Sequence, residues 1–289
     1  MTGYIDVHLH WCLFGRDPAL VKSELIQLER DGFEAVVILP LPGMGASPQR
    51  VLNLVPGAYR DLCSLTDEAT SHDDLDSWRD FKTEWDNEEH ELKLLSFIDL
   101  RAWDGLKDLS EWWQGGHDGI KGILVAEEDS ETMVMPPMRE TPGISREDYF
   151  DAQRKLFKFT REKNVPLLYH VDVTLHGDFI DDQLKAYSDL KINIPHLGFS
   201  RKLFADILER HTNVVSDISS LAPYIRSAPD EYREFIMAFP ERIMLGSDAI
   251  SCHSFKEPSL YLNLVKSLGL PEDTEAALLG GNARRFLGL

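Results

Sequence analysis

Positive charge is scarce in this chain of 289 residues: 30 Lys and Arg stand against 49 Asp and Glu, a formal net charge of −19. A surface of that sign repels phosphate backbones and anionic bilayers, so neither nucleic acid nor a membrane is expected as a partner. Cysteine is scarcer still. Cys12, Cys63 and Cys252 are odd in number and scattered, which fits reduced thiols better than a disulfide framework. No apolar run approaches membrane-spanning length, and the opening MTGYIDVHLHW lacks a basic region and a long apolar region; the expected location is cytoplasmic. Low-complexity tracts are missing too. What is present is a globular balance of 43% hydrophobic and 27% charged residues, sufficient for a sizeable core.

At roughly 100 to 200 residues per domain, the length admits one large domain or two modest ones. Short β-branched runs recur at 5–10, 34–40, 93–100, 119–125, 166–171, 191–197, 212–218 and 242–248, with helical periodicity between most of them, as in 18–31 and 145–163. Ser145, with Asp148 three residues on, is a helix-capping pattern. Strands alternating with helices pair in parallel through crossovers. Eight such units predict one α/β domain over 1–289, a (β/α)8 TIM barrel, with an open doubly wound sheet as the competitor. The barrel is favoured because His and Asp end strands far apart in sequence, and only a closed ring sets the first strand beside the eighth. Two connections are too long for plain loops: 41–92, beginning PLPGMGASP, and 126–144, with AEEDSETMVMPPMRETPG. They are insertions after strands 2 and 4, on the face where barrels keep their sites, and are read as a lid and a pocket wall.

The sharpest chemical signal is Asp6-Val7-His8-Leu9-His10. Alternation along a strand puts Asp6, His8 and His10 on one face and Ile5, Val7 and Leu9 on the other. Two imidazoles about 7 Å apart at Cβ can chelate one cation, and polar groups inside a barrel are costly unless a metal or hydrogen bonds satisfy them. His170 and His196 end the fifth and sixth strand runs, one βα unit apart. Asp248 ends the eighth, where it can ligate a cation and accept a proton from water.

In this order DVHLH, YH at 169–170, PHLG at 195–198, LGSDA at 245–249 and LLGGNARRFLGL in the closing helix resemble the amidohydrolase superfamily. The likeness is to its amidohydrolase-2 branch, which holds both metal-dependent hydrolases and non-oxidative decarboxylases such as aminocarboxymuconate semialdehyde decarboxylase. The resemblance implies a (β/α)8 barrel with one divalent metal ion, commonly zinc, at His8, His10, His170 and Asp248, and His196 contacting the catalytic water or the substrate. Two-metal relatives carry a bridging lysine near the end of strand four. Here that segment reads GILVAEE, Lys121 is taken to stand too early, and Glu127 or Glu128 would be the acidic substitute, so one metal is expected.

The expected activity is hydrolysis of an amide, lactone or ester of a small molecule, with Asp248 and His196 as the catalytic pair. Decarboxylation of an aromatic or dienoic carboxylate is the alternative, and a non-catalytic ligand-binding barrel a more distant one. PHP-type phosphoesterases and TatD-like deoxyribonucleases also open with HxH; the first need more ligands than can be placed, and the charge disfavours the second. Arg201 is a candidate to bind a substrate carboxylate through its fork, Trp11 with Phe14 to form an apolar wall, and His176 to line the pocket. Asp178, Cys252 and His253 are weaker candidates. Arg139, Arg284 and Arg285 are assigned to the surface, and His72, His90, His117 and His211 receive no role. Assembly of several copies is left open.

Overall fold

The computed structural model describes residues 3–13, 15–41, 74–100, 108–113, 116–125, 145–252 and 254–289. The apolar runs form nine parallel strands: β1 Tyr4–Trp11, β2 Phe33–Pro40, β3 Lys93–Asp99, β4 Gly119–Ile123, β5 Leu167–His170, β6 Ile192–Asn193, β7 Val214–Asp217, β8 Ile243–Met244 and β9 Ala249–Ile250. Each pairs with the next from β1 to β8, and β9 returns to β1. β8 and β9 are two pieces of one crossing. The seam between first and last crossings is carried by Val7 N–H to Leu245 O at 3.0 Å, Asp248 N–H to His8 O at 2.8 Å and Ser251 N–H to His10 O at 2.9 Å. That closure makes the fold a (β/α)8 barrel and excludes the open sheet, in which first and last strands do not meet.

Local chemistry accounts for the elements. Asp17 caps the helix Pro18–Arg30 by accepting from Ala19 N–H, Pro18 occupies a position whose N–H would have no partner, and Val21, Leu25 and Leu28 are buried along one stripe. Ser145 accepts from Asp148 N–H at 3.1 Å and donates to its carboxylate at 2.7 Å, capping Arg146–Lys163 as its sequence pattern predicts. Two strands end earlier than expected. After β6, Pro195 has no N–H to give and His196, Leu197 and Gly198 all turn left-handed. The last crossing breaks between Met244 and Ala249, where Asp248 is left-handed at φ 63°. Of the two long connections, 42–73 and 126–144 fall outside the described residues. Within the first, the helix Asp74–Asp86 lays Trp78, Phe81 and Trp85 into the layer between sheet and helices.

The ring has two apolar layers. The outer one lies between sheet and helices. The inner one gathers Ile5, Val7, Val37, Phe97, Leu168 and Met244, with Ala283 and Phe286 of the last helix Asn282–Leu287. Gly119 is required here, because a Cβ on it would stand 2.4 Å from the Phe97 ring. Asn282 ties that helix down, donating to Pro240 O at 2.9 Å and Ile243 O at 2.6 Å. No helix among the described residues is long and apolar enough to cross a membrane.

Candidate metal centre

The site begins with a β-bulge. Against β2, Asp6 pairs with Val36 but Leu9 with Ile38, so three steps of β1 are matched by two of its neighbour. The alternation slips by one. Ile5 and Val7 belong to the inner layer, Leu9 and Trp11 to the outer one, and His8 and His10 turn inward above Val7. The expectation that Asp6 shares their face is corrected: Asp6 sits in register with outer-layer Val36, its Oδ1 accepting from His8 N–H at 2.9 Å and Ser247 N–H at 3.2 Å. Burial pushes its carboxyl up to about 8.

Ring closure then delivers Asp248. Its Oδ1 lies 3.3 Å from His8 Nε2 and 3.1 Å from His10 Nε2, and its Oδ2 accepts from Ser220 Oγ at 2.6 Å. His8, His10 and Asp248 offer ligand atoms all within 4.8 Å of one another. They line a cavity of about 590 Å³ together with His170, His196 and Lys121, under apolar walls that include Leu41, Ile123, Phe199 and Ile250. The His196 ring lies 5.3 Å from the His8 ring, tilted to it, and 5.2 Å edge-on from His170, which packs against Phe199 at 5.2 Å.

Electrostatics prepares the cluster for a cation. Burial, assisted by the Lys121 charge, lowers the pKa of His8, overriding the opposing pull of Asp248 and leaving the neutral imidazole that a metal requires. Asp248 goes the other way: burial alone would raise its carboxyl, but its hydrogen bond with His10 helps to hold it well below the usual carboxylate range. His8 Nε2 has no hydrogen-bond partner among the described residues and faces a carboxylate oxygen. With its Nδ1 directed at Asp217 Oδ2, 3.4 Å away, Nε2 presents a lone pair to an anion. A cation between them removes the repulsion, so the donor set fits a divalent metal.

The family model for the amidohydrolases, Amidohydro_2, matches residues 5–289. The chain belongs to the amidohydrolase family. Among curated proteins none matches this amidohydrolase. Solved structures do, at the level of fold. The phosphotriesterase homology protein of Escherichia coli, complexed with phosphate in its active site, superposes with TM-score 0.61 at 13% identity over 99% of each chain. The lactonase of Listeria monocytogenes gives 0.53 at 11% over 99% of this chain and 94% of that one. The TatD-like protein of Archaeoglobus fulgidus gives 0.54 at 18% over 99% and 100%.

The enzyme's other candidate residues divide. His170 and His196 reach the cavity, His196 from a left-handed turn rather than from a strand. Arg201 stands at the rim, already paired with Glu231 and stacked 4.6 Å from the Tyr232 centroid. Trp11 is not a pocket wall. Alternation after the inward His10 turns it outward with Leu9, where it packs 4.5 Å from Phe81 and 5.2 Å from Trp78 and donates to Ser77 Oγ. His176 is buried beside Phe150 at 5.9 Å, outside the lining of the cavity. Asp178 is exposed and Cys252 buried, while Phe14, Glu127, Glu128, Arg139 and His253 lie outside the described residues. Lys121 does reach the cavity: two residues before the end of β4 at Ile123, its long, buried side chain joins the lining, while the converging ligand atoms among the described residues are those of His8, His10 and Asp248. Asp217 was missed. It ends β7, a signal present in VVSD, and burial's upward push on its carboxyl is overcome by His8, His196 and Ser219.

Proposed function

We propose that this enzyme is a metal-dependent hydrolase that opens the carbonyl of an amide, lactone or ester of a small, uncharged substrate. The observation that carries this reading is the convergence of His8, His10 and Asp248 within 4.8 Å beside the cavity. Those three, with His170 as a further donor, would hold one divalent ion, zinc by preference. When bound, the ion supplies Lewis-acid polarisation of the carbonyl and lowers the pKa of water towards about 7.

The chain's own groups do the rest. Asp248 accepts the proton of the attacking water and returns it to the leaving group, its carboxylate held in rotation by Ser220. His196 Nδ1 is 2.8 Å from Ser219 O, which only accepts, so Nδ1 carries the hydrogen and Nε2 turns a lone pair on the cavity. His196 therefore orients the water as an acceptor, and can aid the oxyanion only once protonated. A neutral substrate is favoured because the Arg201 charge is already committed to Glu231 and Tyr232.

Decarboxylation is the second reading, favoured by Lys121, a buried cation lining the cavity that suits a substrate carboxylate. Metal analysis of the purified protein, with a screen of lactones, N-acyl compounds and aromatic or dienoic carboxylates, tests both. About one divalent ion per chain and acid release from neutral substrates is the expected result. Release of CO2 from a carboxylate, with no hydrolysis, overturns the first reading, and full activity of metal-free protein overturns both. With its charge held by Glu231 and Tyr232, Arg201→Met should leave KM for neutral and carboxylate-bearing substrates nearly unchanged, and a rise for carboxylates alone would return Arg201 to the substrate site.

A further inference from the structure

We propose that Ser219 is a positioning residue: its hydroxyl locks the metal-binding His8 in the Nδ1–H tautomer, which it shares with the water-orienting His196, a ring held in addition by the Ser219 carbonyl. The inference deepens the hydrolase reading and rests on its metal site.

A serine hydroxyl has one hydrogen to give and two lone pairs to receive with. The Ser219 hydroxyl lies against Asp217 Oδ1, an acceptor-only carboxylate also held by Asn193 Nδ2 at 2.8 Å and Ser219 N–H at 3.1 Å. The hydrogen of Ser219 is spent there. Its lone pairs face His196 Nδ1 at 2.9 Å and His8 Nδ1 at 3.1 Å, so both rings must carry their hydrogen on Nδ1. Each ring has an independent witness. His196 Nδ1 also meets the Ser219 carbonyl, and His8 Nδ1 the second oxygen of Asp217, neither of which can donate. Both Nε2 lone pairs are thereby turned into the cavity, as a metal ligand and a water acceptor need. Ser219 is fully buried, which leaves no solvent to replace its hydroxyl. The left-handed backbone at Ser220, φ 56°, lets the next serine reach Asp248 instead, so adjacent hydroxyls serve the imidazoles and the carboxylate.

The partners of the two rings are unequal, and that makes the proposal testable. Without the hydroxyl, His196 keeps the carbonyl at 2.8 Å while His8 retains only Asp217 at 3.4 Å. In metal-free protein with nitrogen-15-labelled histidine, NMR should show both rings as the Nδ1–H tautomer. In Ser219→Ala, His8 should become a mixture while His196 is unchanged, and zinc should dissociate about 10- to 100-fold more readily, the usual worth of a group that orients a ligand. Ser219→Cys, close in volume but a weaker hydrogen-bonding group, should fall between. Unaltered zinc affinity and an unaltered His8 tautomer in Ser219→Ala overturn the proposal, as does equal disturbance of both rings. Should Ser219→Ala fail to fold, wild-type zinc affinity in Ser219→Cys overturns it. Wild-type protein that binds no zinc sinks the hydrolase reading alone, since the tautomers are read without metal.

Discussion

The lower and upper halves of the barrel interior lie within one ring of strands and have opposite chemistry. Below, Ile5, Val7, Phe97 and Met244 meet Ala283 and Phe286 in a dry, hydrocarbon floor. Above, His8, His10, Lys121, His196 and Asp248 surround a cavity. β1 contributes to both, because the bulge brings two successive residues, Val7 and His8, to the inside. Stability and chemistry are thus stacked along one axis, one residue apart, and substitutions should separate them.

The largest effect is expected above. His10→Ala should empty the metal site and lower kcat/KM by about 10⁴-fold, the several kcal/mol that Lewis-acid and water activation supply, while urea denaturation of the metal-free protein stays near wild type; retained metal breaks the division. Below, Phe286→Ala should cost roughly 4 kcal/mol of stability by leaving a cavity in the floor, with kcat of the folded fraction unchanged. A kcat that fell in step would show that the floor shapes the site. His196→Asn should keep most of the metal and lower kcat by about 10²-fold; metal loss equal to that of His170→Ala would make His196 a ligand.

The smallest effect lies outside the ring. Asp181 binds Lys185, Arg210 and His211, and the hydrogen bonds from Lys185 and His211 lower its carboxyl to about 2 from an ordinary 3.8. A depressed acid pKa adds stability above the ordinary value that is lost as pH falls from there through the folded one. Asp181→Asn should therefore cost about 1 kcal/mol near pH 6, discounted for solvent screening, and flatten the stability profile between pH 3.8 and 2. An unchanged acid limb in a denaturation series removes Asp181 from the account.

Much of this was legible in the residues. β-branched runs located the strands, because packing on both faces selects them, and Asp17 and Ser145 announced their helices through caps that act locally. His8, His10 and Asp248 were legible as one cluster once the ring was assumed. What stayed hidden depends on breaks in regularity. Strict alternation put Asp6 with the histidines, and a one-residue bulge reversed that; for Trp11 the same alternation, carried one step past His10, already points away from the pocket. The reach of Lys121 into the cavity stayed hidden because the end of β4 is set by its neighbours' hydrogen bonds, not by composition. Asp217 and Ser219 act on the His8 imidazole, more than 200 positions away, and no local pattern marks such a contact.

The seam that closes the ring also sets a clock. Ser247 N–H reaches Asp6 across 241 positions, and the same junction carries His8, His10 and Asp248. Loop-closure entropy and high contact order make such a junction one of the last to form. A nascent or half-refolded chain therefore holds a histidine pair without its carboxylate, and has little grip on a passing ion. Metal uptake during refolding should lag behind burial of Trp11, Trp78 and Trp85, so that the ion arrives at a finished vessel and takes no part in shaping it.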